Sequence, residues 1–525
     1  MLDSRPAKEP VGDAEALRAE WRRRAGPVGV EAVELPASPA LPGMASVDRE
    51  GIIAEALARV AADSATWLVA DLAREIATLV PAGAAASATE LVELVDGLAA
   101  QAAGRCVELH PPAPAGVACR RDGRPVTEHV VDRHLTTSAV WAQEERLLSW
   151  AAAAAGEVPT PEGDRQAAVA RAVAGTDNLV LVVGPAGTGK TTALGEGAVL
   201  LAAQGRPALG LAPSGKAADV LGAETGWPAT TLAKLLHEHR RPGGPAPPWR
   251  LPAGTTVVLD EAAMAGTDDL DALVGLVERH GWRLVAVGDP DQLPAVGRGG
   301  LFGLWCERLR PHRLDEGRRF ADDWQGPASL ALRRGDPEAA AAYAAHRCLH
   351  TVHPALVAER VARQVAAVEA RGQSVAVTCA SAGTARAINV EIQRRRHQGR
   401  PGAGVALADG TWARVGDRVA TRRNAPLGTD AGAAVRNRQV WTVAEVGGDG
   451  SLVVADDERG SVRLPAAYVR RHVELGWAVT GYGTQGVTTD RGIAVVEPSS
   501  TRNGVYVAMT RGRGRNVAWI LDRTG

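Results

Sequence analysis

The sequence predicts an α/β chain. It expects two lobes built on parallel sheet, a small β-barrel inserted in the second lobe, and a mainly α N-terminal module. Three observations carry this. Apolar runs of four or five residues recur between helical stretches after Pro159, the mark of strands covered on both faces. The alternation is too long for one sheet, so two lobes divide near residue 312. Between Arg400 and Arg471 it gives way to short β-rich runs separated by glycine turns.

Taken in order, residues 1–45 pair a charged stretch of helical character, Ala14 to Arg24, with a Pro/Gly-rich stretch, Leu35 to Gly43, and read as an arm or linker. Residues 46–158 show helical periodicity over Val47–Ala62, Ala65–Leu79 and Ala88–Ala103. Apolar segments follow near Val107 and Val117, then a turn at Arg121-Asp122-Gly123, a cap at Thr136-Thr137-Ser138 and a helix to Ala154. This pattern suits a winged-helix-like module whose Arg120, Arg121, Arg124 and Arg133 meet phosphates, and equally a plain helical prefix. Expected strands are Leu179–Val183, Ala208–Leu211, Thr256–Leu259, Leu284–Val287, Val375–Cys379, Ile493–Val496 and Val517–Ile520. The lobes are then residues 159–312, and 313–399 with 472–525. The barrel is 400–471, with runs at Arg418–Thr421, Val440–Val446, Leu452–Val454 and Val462–Leu464.

Composition narrows the class. At 525 residues and 46% apolar content, there is material for three or four domains. A net charge of −1 argues against a wholly basic nucleic-acid coat and leaves room for a local basic groove. Five scattered cysteines with no C-x-x-C pair read as reduced thiols of a cytoplasmic protein without a zinc site. No charge-free run reaches the roughly 18 apolar residues of a membrane span, and the charged N-terminus lacks a signal core.

The chemistry starts at Asn178 to Thr192, where the apolar strand runs into a glycine-rich turn and a helix from about Thr191. Gly184, Gly189, Lys190 and Thr191 stand at the fixed places of the phosphate-loop pattern G-x-x-x-x-G-K-[ST]. Pro185, Ala186, Gly187 and Thr188 fill the turn, and Thr192 follows it. Gly187 and Gly189 let the backbone curl so that its N–H groups converge on an anion, and the helix adds its positive end. Lys190 is expected on the β- and γ-phosphates of ATP, and the Thr191 hydroxyl on Mg²⁺. Lysine is rare in this chain: Lys8, Lys190, Lys216 and Lys234 are all there are. One remains where a compact ammonium suits and a guanidinium fork does not.

Two further strands end in polar turns. Thr256 to Met264 closes on Asp260-Glu261. Asp260 is expected to hold Mg²⁺ through water, and Glu261 to orient or deprotonate the attacking water. Leu284 to Pro294 closes on Gly288-Asp-Pro-Asp-Gln292. Gln292 could read the γ-phosphate, although a tight polar turn explains the same residues. The Tyr506–Met509 run before Arg511 reads as β-like.

Eight motifs in order then give a resemblance. They are GPAGTGKT at Gly184, APSGKAA at Ala212, TTLAKLL at Thr230, LDEAAM at Leu259, GDPDQLPAVGRGG at Gly288, LDEGRRF at Leu314, TQGVTTD at Thr484 and YVAMTRGR at Tyr506. The chain resembles superfamily 1 DNA helicases of the RecD-like, 5′-to-3′ branch. More narrowly, it resembles the helicase portion of actinobacterial conjugative relaxases of the TrwC/TraA type. The resemblance implies two RecA-like P-loop NTPase lobes with ATP and Mg²⁺ between them, and an SH3-like barrel as the insertion. It implies that Gln166 reads adenine. Arg319 and Arg511 become arginine fingers acting with Lys190, Asp260, Glu261 and Gln292. Ser214, Lys216, Thr230, Lys234, Tyr482 and Gln485 are placed on DNA, with Trp249, Tyr482 and Trp477 as stacking candidates.

There are departures. Tyr482 and Gly483 take places where the family usually carries a histidine and a basic residue, and Phe320 replaces a frequent glutamine. The segment His237 to Gly254 is short for a strand-separating pin. No H-x-H triad is present, and Tyr343, Tyr468, Tyr482 and Tyr506 all lie in the helicase portion, so DNA nicking is not expected. The expected activity is an ATP-dependent helicase or translocase on single-stranded or tailed duplex DNA. The expected setting is a cytoplasmic monomer without membrane contact, linked to conjugative transfer or recombination and repair, with relaxosome or repair proteins as partners. The alternatives are a non-processive or inactive DNA-binding remnant of a relaxase–helicase, and a phosphate-loop ATPase acting on something other than nucleic acid.

Overall fold

The computed structural model describes residues 19–20, 23, 47–109, 117–121, 133–156, 164–314, 320–398, 402, 404–430, 434–457 and 459–522. Contacts divide the chain into two units, one of residues 1–60, 68–105 and 112–133, the other of 61–67, 106–111 and 134–525. In the first, helices α1 (Arg49–Asp63, as far as Val60), α2 (Val69–Leu79) and α3 (Ala88–Ala103) bury apolar stripes such as Ile52, Ile53, Ala56 and Val60. The Ser87 hydroxyl caps α3 by accepting the Glu90 N–H at 3.2 Å. Asp122 and Gly123 of the expected turn, and Arg124 among the expected phosphate contacts, lie outside the described residues.

The second unit opens with antiparallel strands β1 (Val107–Leu109) and β2 (His134–Thr136), then α4 (Ser138–Ala154), capped by Thr137. Next come α5 (Arg165–Val173), β3 (Leu179–Val183), α6 (Lys190–Ala203), β4 (Ala208–Ala212) and α7 (Gly215–Thr225). They are followed by β5 (Ala229–Thr231), α8 (Leu232–His239), β6 (Thr256–Leu259), α9 (Thr267–His280), β7 (Arg283–Gly288), α10 (Leu301–Arg308) and β8 (His312–Arg313). The strands form one parallel sheet in the order β5-β4-β6-β7-β3-β8. Alternate residues of β3 serve opposite faces. Leu179, Leu181 and Val183 pack with α4, α8, α9 and α10, while Val180 and Val182 pack with α5, α6 and α7. Every residue of β3 and β6 is buried, as continuous apolar runs between two helical layers require.

A second parallel sheet follows. Its strands are β9 (Leu349–Val352), β10 (Val375–Cys379), β20 (Ala478–Thr480), β21 (Thr489–Val496) and β22 (Gly512–Leu521), in the order β20-β10-β21-β22-β9. Helices α11 (Gln325–Arg334) and α12 (Glu338–Ala345) cover one face, and α13 (Val357–Glu369) and α14 (Ala382–Arg396) the other. Between α14 and β20 lies the inserted segment. Its strands are β11 (Val405–Ala406), β12 (Trp412–Ala413), β13 (Arg418–Thr421), β14 (Ala425–Gly428), β15 (Ala434–Val435), β16 (Val440–Val446), β17 (Leu452–Asp456), β18 (Gly460–Leu464) and, after α15 (Ala466–His472), β19 (Val473–Leu475). Five of these form an antiparallel sheet, β18-β17-β16-β13-β19, over Val419, Trp441, Val443, Leu452, Val454 and Leu464. Helices α16 (Gly481–Thr484) and α17 (Arg502–Ala508) complete the unit.

One expectation is corrected here. Tyr506–Met509, read as β-like, closes a helix. The Thr501 hydroxyl accepts the Gly504 N–H at 3.1 Å and starts α17, so local capping overrides the β-propensity of Val505, Tyr506 and Val507. Among the described residues no helix is long and apolar enough to cross a membrane.

Candidate active site

The loop between β3 and α6 is held by its own glycines and by α5. Gly187 and Gly189 take positive φ, 82° and 80°. A Cβ on Gly189 would lie 2.1 Å from Gln166 Nε2. That amide donates to the Thr188 carbonyl at 3.3 Å, so Gln166 rests on the loop from the first turn of α5. The Lys190 ammonium donates to the Gly184 carbonyl at 2.7 Å. The Thr188 hydroxyl donates to the Pro185 carbonyl at 3.0 Å and is thereby occupied within the turn.

A cavity of about 550 Å³ opens over this loop. Lys190, Thr191, Asp260, Glu261, Gln292 and Arg511 all line it, although they come from both sheets. Thr192 begins α6 but does not line the cavity. Asp260 follows β6 and is partly buried; desolvation first, and the Glu261 carboxylate second, push it up to about 7. Its Oδ1 has no hydrogen-bond partner. Glu261 sits at φ 51°, a left-handed turn directly after the strand. An orphaned buried carboxylate oxygen in the same cavity as the Thr191 hydroxyl suits a hydrated divalent cation. Among the described residues no group of three or more His, Cys, Asp or Glu could hold a metal by itself. Arg511 is 2% exposed; its Nε donates to the Val507 carbonyl at 2.7 Å and its Nη1 to the Thr484 carbonyl at 3.3 Å. Arg319 lies outside the described residues.

Sequence reasoning assigned no role to several residues that the structure brings to the site. The Tyr506 hydroxyl accepts the Ala186 N–H at 3.1 Å and donates to Asp289 Oδ2 at 3.0 Å. Burial raises its pKa well above the ordinary phenol. Asp289, wholly buried after β7, also receives Arg333 Nε and Nη2 from α11 at 2.9 and 2.8 Å. Gln292 Nε2 donates to the same carboxylate at 3.4 Å, and Asn503 Nδ2 holds the Gln292 carbonyl at 2.7 Å. The turn after β7 is therefore gripped by α11 and α17. Glu224 and Arg513 line the cavity as well; burial raises the Glu224 carboxyl. The YVAMTRGR stretch contained Tyr506, but only the tertiary pairing shows what its hydroxyl does.

The residues expected on DNA separate into groups. Ser214, Lys216 and Gln485 line the phosphate-loop cavity. The Ser214 hydroxyl caps α7 by accepting the Ala217 N–H at 3.2 Å. The Gln485 amide is buried with neither atom hydrogen-bonded. Thr230 lies in edge strand β5. Lys234 bonds Glu238 at 2.7 Å and lies 5.9 Å from the Trp249 ring. The Tyr482 hydroxyl donates to the Pro294 carbonyl at 3.2 Å, beside a cavity of about 250 Å³. Trp477 is 4% exposed, which leaves no open face for stacking. Gly483 has little room for the basic side chain of the family pattern, since a Cβ there would lie 3.0 Å from Val479.

Residues 162–354 match the AAA domain family, a span that contains the phosphate loop and both acids. The ATP-dependent RecD2 DNA helicase of Deinococcus radiodurans is 30% identical over 368 residues, 67% of this chain and 48% of that protein. Over two thirds of its length the chain is thus similar to a RecD2 DNA helicase. The conjugal transfer protein TraA of Rhizobium radiobacter is 29% identical over 408 residues, 75% of this chain and 34% of its own length. The chain therefore spans between a third and a half of those two relatives. A crystal structure of Pif1 helicase from Bacteroides in complex with ADP-AlF3 and ssDNA covers 69% of this chain and 92% of its own, at 18% identity and a TM-score of 0.44.

Proposed function

We propose that this chain is an ATP-driven motor on single-stranded DNA, a helicase or translocase moving 5′ to 3′. The observation that carries the reading is the convergence of Lys190, Thr191, Asp260, Glu261, Gln292 and Arg511 on one cavity. In this account Lys190 gives up the Gly184 carbonyl for the β- and γ-phosphates. Arg511 exchanges its bonds to Val507 and Thr484 for the γ-phosphate. Glu261 accepts a proton from the attacking water, and Gln292 reports the γ-phosphate to the turn after β7. Bound Mg²⁺ supplies charge neutralisation to the phosphates, held by the Thr191 hydroxyl and, through water, by Asp260. Gln166 reads adenine beside the loop, and Arg319 acts with Arg511.

The reading extends to the architecture. Residues 159–312, and 313–399 with 472–525, are two RecA-like lobes that close on ATP and open after hydrolysis. Residues 400–471 are read as an SH3-like barrel, and 46–158 as a mainly helical module, either winged-helix-like or a plain helical prefix. Ser214, Lys216, Thr230, Lys234, Tyr482 and Gln485 hold the DNA, single-stranded or as the tail of a duplex. The setting is a cytoplasmic monomer serving conjugative transfer or recombination and repair, beside relaxosome or repair proteins. The name of the TraA relative, a conjugal transfer protein, supports the first setting, and that of RecD2, an ATP-dependent DNA helicase, supports the motor. The experiment is displacement from 5′-tailed and 3′-tailed duplexes with ATP. Displacement confined to 5′ tails supports the reading; binding without displacement in either case overturns it in favour of a DNA-binding component.

A further inference from the structure

A second cavity, of about 210 Å³, lies where the inserted sheet meets β10, β20 and the segment from α16 to β21. Arg418, Arg438, Arg459 and Lys216 line it, against a single carboxylate, Asp456. Arg459 holds that carboxylate at 2.8 Å. The walls therefore carry an excess of positive charge. Four buried donors on residues that line it have no acceptor: Arg438 Nη1, Arg459 Nε, and the indole Nε1 of Trp441 and of Trp477. Buried donors without partners are rare in native proteins. Here four lie around one small space and no unpartnered acceptor lies among them, which is the complement of a group with several acceptor oxygens.

The rings themselves are not offered as stacking platforms. The Arg459 guanidinium lies 5.0 Å from the Trp441 ring centre and the Arg396 guanidinium 5.7 Å from that of Trp477. Trp441 and Trp477 are 1% and 4% exposed. Their indole Nε1 atoms are buried without a hydrogen-bond partner. Arg438 holds φ 64°, a conformation that glycine or asparagine adopts more readily than a long side chain.

We propose that this cavity is a phosphate-binding site, distinct from the phosphate loop, in which Arg438, Arg459, Trp441 and Trp477 surround the phosphate oxygens. The phosphate comes from a DNA phosphodiester or from free phosphate. Lys216 lines this cavity and the phosphate-loop cavity alike. Thr484, another wall residue, receives Arg511 on its carbonyl. An occupant thus sits one residue away from Arg511. Only a consequence for ATP turnover rests on the motor reading; the site itself does not.

The test uses the full chain with saturating ADP and Mg²⁺, so that the phosphate loop is filled. Thermal unfolding is followed in inorganic phosphate and in chloride of equal ionic strength. Affinity for a labelled oligo-dT is followed across salt. The expected result is a phosphate-specific rise in Tm of about 2 °C or more, abolished by Arg459→Gln. Trp477→Phe keeps the packing, removes one N–H, and serves if the arginine variant does not fold. A DNA source adds an oligo-dT affinity about tenfold lower in Arg459→Gln, with a salt slope reduced by about one. A lost Tm rise with unchanged oligo-dT affinity assigns the site to free phosphate. No phosphate-specific rise, together with wild-type oligo-dT affinity in both variants, overturns the proposal. ATP turnover indifferent to DNA would sink the motor reading and leave these outcomes standing.

Discussion

The Tyr506 hydroxyl joins the phosphate loop to Asp289 by one bond accepted and one donated. Tyr506→Phe keeps the ring and leaves a buried N–H and a carboxylate oxygen each short of a partner. Urea unfolding is expected to show a loss of about 1–3 kcal/mol. Lys234, proposed on DNA, is paired with Glu238 in the structure. Lys234 first, then Arg241, hydrogen-bonds Glu238 and holds its carboxyl down to about 2. A carboxylate depressed in the folded state contributes stability above its unfolded value, and that stability is lost as pH falls from about 4.5 toward 2. Glu238→Gln is expected to flatten the stability–pH curve across that window in acid titration. It also releases Lys234, so binding of single-stranded DNA tightens in the same variant at neutral pH. Lys190, Thr191, Asp260 and Glu261 were legible in the sequence because their spacing within a strand and turn is itself the motif. Tyr506, Arg333, Glu224 and Arg513 were not, because their roles come from partners that only the folded chain brings near.

At the scale of elements, the turn after β7 depends on helices far along the chain. Arg333 from α11 bonds Asp289, and Arg502 from α17 bonds Asp291 at 2.9 Å. Arg333→Ala strands a wholly buried carboxylate, and calorimetry or urea unfolding is expected to show a loss of about 3–5 kcal/mol. The start of α17 rests on one hydroxyl. Thr501→Ala is expected to cost about 0.5–2 kcal/mol by the same measurements. That cap explains why Tyr506–Met509 misled: three residues of good β-propensity sit in a helix that a threonine four positions earlier begins. The long central strands were readable as apolar runs between helices. The short edge strands β5, β8, β9 and β20 were not, since two to four residues on an open edge need no continuous apolar run.

At the scale of the molecule, the two parallel sheets could be inferred from alternation and length, and the inserted β-rich segment from its glycine turns. What composition could not show is that residues from both sheets close on one cavity. It also could not show that a basic cavity lies at the foot of the insertion. Under the proposed motor reading, nucleotide and DNA would each bias the same closure of this cavity. The central claim is that the phosphate-loop cavity hydrolyses ATP in response to single-stranded DNA. The most direct measurement is steady-state ATP turnover of the full chain, with and without oligo-dT, in wild type and in Lys190→Ala. The account predicts stimulation by DNA in the wild type and a loss of at least about a hundredfold in the variant, in line with removing a charge from the transferring phosphoryl group. DNA-stimulated turnover that survives in Lys190→Ala, or wild-type turnover indifferent to DNA, would contradict it.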